Sequence, residues 1–219
     1  MLAAVFFLTG FFLAAAAPLA AQELKSVVLV GDSIRMGYKK AVMAELAGRA
    51  NVSGPTENCR HSGEVLKNLK VWVLDKKPSL VHMNAGLHEI YRNTNGVRQL
   101  SVEQYTNNLD LIFQQLAEAG IKVIWSTTTP VMDDRYLRTK GYVCRVDRDV
   151  EAYNQAASAI LKKHGIPVLD LHATVASQNK ENIYSADGVH FNSDGSRFLA
   201  KEVAGFILKQ IGASPPRQP

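Results

Sequence analysis

The chain of 219 residues has only two cysteines, and they lie far apart in the sequence. A fold held together by several disulfides is therefore excluded, and neither cysteine has a partner at the spacing of a zinc site. The formal net charge of +5 is small, and the lysines are scattered in pairs, so nucleic-acid binding has little support. Internal repeats are absent too. With 47% hydrophobic and 21% charged residues, the composition fits one globular domain of ordinary size.

Charged side chains are missing from residues 1–21. Bulky apolar residues there give way to an alanine-rich stretch that ends at Ala21, which predicts a signal peptide over residues 1–21 and a single domain over residues 22–219. An uncleaved membrane anchor is the alternative, because the apolar length approaches that of a spanning helix and no lysine or arginine precedes it. Small residues near Ala21 favour cleavage. We expect an exported protein, periplasmic or secreted, without stable membrane insertion after cleavage.

Export changes how the two cysteines are interpreted. In an oxidising compartment Cys59 and Cys144 could form one disulfide, which would tie together two distant segments of the domain. Two unpaired thiols are the alternative that the sequence leaves open.

From residue 26 onward, short apolar runs alternate with amphipathic segments. The runs predict strands at 27–30, 50–53, 80–83, 123–126 and 167–171, and the segments predict helices at 36–46, 65–74, 102–119, 150–164 and 195–211. This alternation predicts a parallel sheet with helices on both faces, whose ligand crevice lies beyond the carboxyl ends of the strands. Ser33 and the segments 84–89 and 127–130 follow strands and should gather at that edge.

Two short motifs near opposite ends of the domain carry the candidate chemistry. Gly-Asp-Ser ends at Ser33, and Asp-Gly-Val-His runs from Asp187 to His190. A serine hydroxyl becomes an effective nucleophile when a histidine takes its proton and a carboxylate orients that histidine. Each motif alone is weak, because Asp32 and Ser33 also suit a helix N-cap and Asp-Gly often marks a turn. Their presence together predicts a serine hydrolase.

Four blocks in order resemble the SGNH or GDSL hydrolase superfamily of esterases and lipases. They are Gly-Asp-Ser-Ile at 31–34, Asn-Cys-Arg-His-Ser-Gly at 58–63, Gly-Leu-His-Glu at 86–89 and Asp-Gly-Val-His-Phe at 187–191. The resemblance implies a flavodoxin-like, three-layer α/β/α fold in which Ser33 attacks an ester, His190 is the base and Asp187 orients it. It implies no metal and no organic cofactor.

The resemblance also implies an oxyanion hole formed by the backbone amides of Ser33 and Gly63, where glycine would permit close approach and unusual dihedral angles. The third block departs from the family pattern Gly-x-Asn-Asp, because His88 replaces the asparagine donor and Glu89 the aspartate. A ring N–H of His88 can donate in place of the amide. A charged His88 would bind an oxyanion more strongly and could perturb His190.

The implied substrate is an ester of a small acyl group, including acetyl groups on carbohydrates. Lipid esters and acyl transfer also occur in the superfamily, and a noncatalytic carbohydrate-binding relative is a further alternative. Zinc could be held by His61, His88 and His190 with Asp187 or Glu89, but no His-x-x-x-His pair supports such a site.

Two further features border the motifs. The segment 131–140 has few core-type residues and follows a predicted strand, so it could cover the crevice with a polar wall; a solvated surface loop is the alternative. Arg35 and Arg60 could contact an acidic substrate or pair with carboxylates.

Overall fold

The structure is a computed structural model that describes residues 23–140 and 144–212. The predicted signal peptide lies outside the described residues. Five strands are formed: β1 (Lys25–Val30), β2 (Ala50–Ser53), β3 (Leu80–Met83), β4 (Lys122–Ser126) and β5 (Val168–Leu169). The helices are α1 (Ser33–Glu45), α2 (Ser62–Trp72), α3 (Val102–Glu118), α4 (Asp133–Lys140), α5 (Asp147–Lys163), α6 (Leu171–Ala176), α7 (Lys180–Ile183) and α8 (Ser193–Ile211), with a 3₁₀ turn at Leu74–Lys76. Within the described ranges, no helix has the length and apolarity needed to cross a membrane.

The five strands form one parallel sheet in the order β2-β1-β3-β4-β5. Strands β1 and β3 lie at the centre, where Val30 pairs with Met83, and their apolar runs are buried because helices cover both faces of the sheet. This strand order is the flavodoxin-like one, and it reverses direction between β1 and β3. The segments after these two strands therefore border the crevice.

The helices form two layers, as the three-layer prediction requires. Helices α1 and α8 pack against each other, while α3 packs between α2 and α5. Since the crossovers of parallel strands are right-handed, α1 lies on one face of the sheet and α2, α3 and α5 lie on the other. The predicted α/β/α fold is confirmed.

Two helices begin earlier than the apolar pattern predicted, because side chains cap them. Asp32 caps α1 through Oδ1, which accepts the N–H of Ile34 over 2.8 Å. His61 caps α2 through Nδ1, which accepts the N–H of Glu64 over 3.2 Å. Periodicity placed the starts at residues 36 and 65, whereas the caps place them at Ser33 and at the residue after His61.

The segment 131–140 is helical for most of its length, so the surface-loop alternative was wrong. It forms helix α4, with Asp133 and Asp134 in the first turn, where negative charge favours a helix, and an i,i+4 ion pair of 2.9 Å between Arg138 and Asp134. Just before it, the N–H of Met132 donates to the carbonyl of Gly188 over 2.8 Å. The segment therefore packs beside the second motif.

Strand β5 is shorter than the predicted strand at 167–171. It lies at the edge of the sheet and pairs only with β4. Asp170 then caps α6, its Oδ1 accepting the N–H of Ala173 over 3.0 Å, so the strand gives way to a helix.

Cys59 and Cys144 are both buried free cysteines, so the disulfide considered from the sequence is not formed. The Sγ atom of Cys59 accepts a hydrogen bond from the Arg35 guanidinium over 3.5 Å. The carbonyl of Cys144 accepts the N–H of Arg92 over 2.8 Å.

Candidate active site

The fold brings the two motifs into direct contact. The Oγ atom of Ser33 lies 2.8 Å from Nε2 of His190, although 157 positions separate the two residues. On the other side of the ring, Nδ1 of His190 lies 2.5 Å from Oδ2 of Asp187. A carboxylate only accepts, so Nδ1 carries the hydrogen and Nε2 is free to accept the serine proton. The arrangement can activate a serine hydroxyl.

A tight turn holds the acid and the base. The N–H groups of Val189 and His190 both donate to Oδ1 of Asp187, over 3.0 and 2.9 Å. Gly188 adopts a φ of 69° in this turn, and a Cβ at that position would lie 2.9 Å from the Cβ atoms of both Met132 and Arg135. Partial burial raises the pKa of Asp187, but the hydrogen bonds from His190 and Val189 outweigh it, so the pKa lies below its usual value. Asp187 is therefore ionised beside His190.

Ser33 is the first residue of α1 because Asp32 caps that helix. The helix-cap interpretation of the Gly-Asp-Ser motif is confirmed, and the cap fixes the helix start at which Ser33 lies. The first N–H groups of a helix have no acceptor within it, and the helix dipole is positive there. The N–H of Ser33 can therefore meet negative charge on a bound acyl oxygen. Burial raises the pKa of Asp32, whose side chain is fully enclosed.

Gly63 is the second residue of α2, so its N–H also belongs to a helix start. A hydrogen bond of 3.2 Å from Cys59 N–H to the carbonyl of Gly31 joins its block to the first one. The φ of Gly63 is not in the left-handed region, so the expectation of unusual dihedral angles was wrong. A Cβ here would lie 3.1 Å from Nδ1 of His61, so a larger residue would press on the side chain that caps α2.

His88 lies in the turn after β3 and is partly buried. Burial and, after it, the charges of Arg145, His61, Arg60 and His190 together lower its pKa to about 4. At neutral pH the ring of His88 is therefore uncharged and offers a single N–H. The charged form that the sequence left open is not the state near pH 7.

A model of the GDSL-like lipase/acylhydrolase family matches residues 29–198. The chain belongs to this family. It is therefore an ester-hydrolysing enzyme of the SGNH type, and the matched region includes all four blocks. No curated protein matches the sequence significantly.

Solved structures share the fold of this acylhydrolase. The lipase/acylhydrolase from Enterococcus faecalis is similar at a TM-score of 0.73 and 22% identity, covering 89% of this chain and 100% of that chain. A catalytic mutant of Axe2, an acetylxylan esterase from Geobacillus stearothermophilus, has a TM-score of 0.69 at 15% identity, covering 89% and 97%. The acetyl xylan esterase AlAXEase has a TM-score of 0.69 at 19% identity, covering 83% and 99%. At identities this low, the structural similarity shows a common fold.

Glu89 of the acylhydrolase supports the start of α2, a role that sequence reasoning did not give it. Its Oε1 accepts the N–H of Ser62 over 2.6 Å, and Nδ2 of Asn108 donates to the hydroxyl of Ser62 over 3.1 Å. Glu89 and Ser62 are fully buried, and burial raises the pKa of Glu89 to about 7. Its position beside His88 in the third block was the available signal.

The two arginines named from the sequence have different surroundings. Arg35 is buried, and its guanidinium donates to the carbonyls of Gly31, Pro55 and Glu57 over 2.6–3.2 Å, so it is a structural residue. Arg60 is exposed, and its charge acts on His88. Neither arginine pairs with a carboxylate in the ranges 23–140 and 144–212.

Metal-ligating side chains cluster elsewhere. Asp147, Glu151 and His172 form the group whose ligand atoms all lie within 4.8 Å of one another, among the residues that the structure describes. This group does not include His61 or His190. The zinc set considered from the sequence is therefore not the one that the fold assembles.

Proposed function

We propose that this acylhydrolase is a serine esterase that removes small acyl groups, such as acetyl groups on carbohydrates. Ser33 is the nucleophile, His190 the general base and Asp187 the residue that orients the base. The observation that supports these roles is the unbroken hydrogen-bonded path from the Ser33 hydroxyl through His190 to Asp187. A base at contact distance from the nucleophile, itself held by a carboxylate, is the arrangement that acyl transfer to serine requires.

In the first step, Ser33 Oγ forms a bond to the acyl carbon while its proton passes to Nε2 of His190. The carbonyl oxygen then carries negative charge. The N–H groups of Ser33 and Gly63, at the starts of α1 and α2, and the ring N–H of His88 receive that charge. Neutral His88 acts here as a hydrogen-bond donor, and an asparagine amide can donate in the same way.

In the second step, the tetrahedral species collapses and the bond from the acyl carbon to the alcohol oxygen breaks. The alcohol leaves with the proton from His190, and the acyl group remains on Ser33. Water then attacks the acyl-enzyme while its proton passes to His190. The bond from the acyl carbon to Ser33 Oγ breaks, the carboxylic acid leaves, and His190 returns the proton to Ser33 Oγ. Asp187 stays ionised throughout, because its hydrogen bonds keep its pKa low.

The preference for small acyl groups on carbohydrates rests on an open site. The side chain of His190 is 46% exposed, so a bulky alcohol can approach the base from solvent. The acetylxylan esterases among the structural neighbours have the same fold and carry this activity in their names. Helix α4 packs beside the turn of Gly188 and can line the approach to His190.

The test is hydrolysis of p-nitrophenyl acetate by the mature chain, by Ser33→Ala and by Ser158→Ala. Ser158 is an exposed serine on α5 and serves as the matched control. We expect activity in the wild type and in Ser158→Ala, with or without a chelator, and none above background in Ser33→Ala. A fluorophosphonate should add one equivalent to the wild type and none to Ser33→Ala.

Two outcomes would count against the proposal. Full activity in a folded Ser33→Ala variant would show that Ser33 is not the nucleophile. Loss of wild-type activity on chelation would favour metal-activated water. Acyl preference is tested on the acetate, butyrate and octanoate esters, and acetate release from acetylated xylan tests the carbohydrate. Preference for octanoate would favour a lipid esterase instead.

The proposal includes export of the mature chain. Its support is the uncharged, apolar stretch that ends in small residues at Ala21. Expression of the full sequence with a secretion-competent host should give an exported product whose intact mass corresponds to cleavage near Ala21. A product of full-length mass that remains with the membrane would instead indicate an anchor.

A further inference from the structure

Arg60 carries an exposed guanidinium near enough to His88 to act on it electrostatically. Its neighbour Cys59 is hydrogen-bonded to Gly31, two residues before Ser33. The φ of Arg60 is 51°, in the left-handed region that residues other than glycine seldom adopt, and Oδ1 of Asn58 holds this turn by accepting the Arg60 N–H over 2.8 Å. An uncommon backbone conformation next to a reacting group suggests that the side chain has a task there.

The charges that act most strongly on His88 are positive. Arg60, His61 and Arg145 all act electrostatically on His88 in the direction that disfavours its protonation. Arg145 is a largely buried cation whose Nε donates to the carbonyl of Leu87 over 2.8 Å. At neutral pH the arginines carry the positive charge, while His88 is neutral.

The carboxylates in this neighbourhood are already engaged or enclosed. Asp32 and Glu89 are fully buried, and Asp187 is bound to His190. Glu64 is the acid that acts on His61, from the first turn of α2. No ion pair within 4.0 Å involves Arg60 in the part of the chain that the structure describes, so its charge is available to a ligand.

His61 adds a directed hydrogen-bond donor. Its Nδ1 accepts the N–H of Glu64, so the hydrogen of the neutral ring is on Nε2. Burial lowers the pKa of His61, and Arg60 acts in the same direction against the opposing effect of Glu64. An arginine and an adjacent imidazole N–H together suit an anionic oxygen group such as a carboxylate.

We propose that Arg60 and His61 bind an anionic group in the alcohol part of the ester, so that the substrates are acyl esters of acidic carbohydrates. The inference rests on the proposed esterase function and adds the charge of the substrate to it. The anion is assigned to the alcohol part, because a small acyl group such as acetyl carries no charge.

The experiment uses two probes that differ in charge: the acetate esters of 4-hydroxybenzoate and of 4-hydroxybenzamide. The quantity measured is the ratio of kcat/KM for the acid to kcat/KM for the amide, which cancels effects common to both esters. The variants are Arg60→Asn, which tolerates a positive φ, and Arg60→Lys, which keeps the charge. Lys67→Gln, at an exposed position of α2, is the matched loss of one positive charge.

We expect the ratio to fall about fivefold in Arg60→Asn, mainly through KM for the acid, and to change little in Lys67→Gln and Arg60→Lys. Added salt should reduce the wild-type ratio toward that of Arg60→Asn. Acetylated polygalacturonate should lose acetate faster than acetylated xylan with the wild type, and this difference should shrink in Arg60→Asn.

An unchanged ratio in Arg60→Asn, with both esters still hydrolysed, would overturn the inference and leave the esterase function intact. Equal falls in Arg60→Asn and Lys67→Gln would also overturn it, because the effect would then come from net charge and not from a site. Failure of the wild type to hydrolyse either ester would instead count against the esterase function and, with it, this inference.

Discussion

The side chain of Glu89 accepts a hydrogen bond of 2.6 Å from the backbone N–H of Ser62, in the first turn of α2. This contact joins the second and third blocks below the surface, and the next residue after Ser62 is Gly63, whose N–H is assigned to the oxyanion. Both partners are fully buried, and a buried carboxyl is costly to ionise. The support of the site is therefore also a source of pH-dependent stability.

We predict that Glu89→Gln removes a pH dependence of the wild-type stability. Burial raises the pKa of Glu89 from 4.5 to about 7, so below pH 4.5 the proton is bound in both states. Between 4.5 and 7 the unfolded chain ionises while the folded chain keeps its proton, so stability falls as the pH rises. The free energy of unfolding of the wild type should fall by about 3 kcal/mol relative to that of Glu89→Gln over this interval, and it should fall no further above it. Urea unfolding at several pH values measures the difference.

Exposed Glu103, in the first turn of α3, is the matched control. Glu103→Gln should show the same pH dependence as the wild type. A difference in unfolding free energy between the wild type and Glu89→Gln that stays constant from pH 4.5 to 8 would show that Glu89 does not titrate as its burial requires.

The sheet could be predicted from the sequence because its signal is local. The central strands are buried on both faces, so their apolar runs stand out, and the predicted strand at 80–83 matches the observed one. The helix starts were missed by three residues, because Asp32 and His61 accept from the backbone before the apolar pattern begins. Capping depends on one side chain and leaves little periodic signal.

The meeting of Ser33 with the second motif could be predicted in outline, since parallel strands bring their carboxyl ends to one edge. The role of Glu89 could not, because it depends on burial and on a partner in another block. The pKa of His88 likewise depends on burial and then on charges that the fold brings near, of which Arg145 has the largest effect.

Asp187→Asn should nearly abolish hydrolysis while leaving the fold intact. The amide keeps the shape of the side chain, but its NH₂ group can donate a hydrogen bond to Nδ1 of His190. The ring hydrogen is then on Nε2, which can no longer accept the serine proton. We expect kcat for p-nitrophenyl acetate to fall by about 10³–10⁴ with little change in KM. Asp194→Asn removes an exposed carboxylate that pairs with Arg197 and should retain full activity. Comparable kcat values in the two variants would contradict the role of Asp187.

Alkylation should show that both cysteines are reduced and that the fold protects them from the reagent. Both thiols are buried, and burial also raises the pKa of Cys59, which lowers its reactivity. The native mature chain should resist iodoacetamide, and the unfolded chain should take up two equivalents without any reductant. Mass spectrometry counts the additions. Uptake by the unfolded chain only after reduction would reveal a disulfide between Cys59 and Cys144.

His88 should be replaceable by asparagine but not by alanine. At neutral pH its ring is uncharged, since burial lowers its pKa to about 4, so its contribution to the oxyanion is one N–H. An asparagine amide supplies a similar donor, whereas alanine supplies none. His88→Ala should lower kcat by about 10²–10³, the usual effect of losing one such donor, with a smaller change in KM.

His88→Asn should keep kcat within about tenfold of the wild type, and its kcat should depend on pH between 5 and 8 as the wild type does, because neither donor titrates there. Stopped assays with p-nitrophenyl acetate across that range measure both quantities. Equal losses in the two variants would mean that the imidazole acts through its shape or packing, and an unaffected His88→Ala would remove the residue from the oxyanion hole. A wild-type kcat that rises below pH 6 while that of His88→Asn stays flat would instead show that the charged ring takes part.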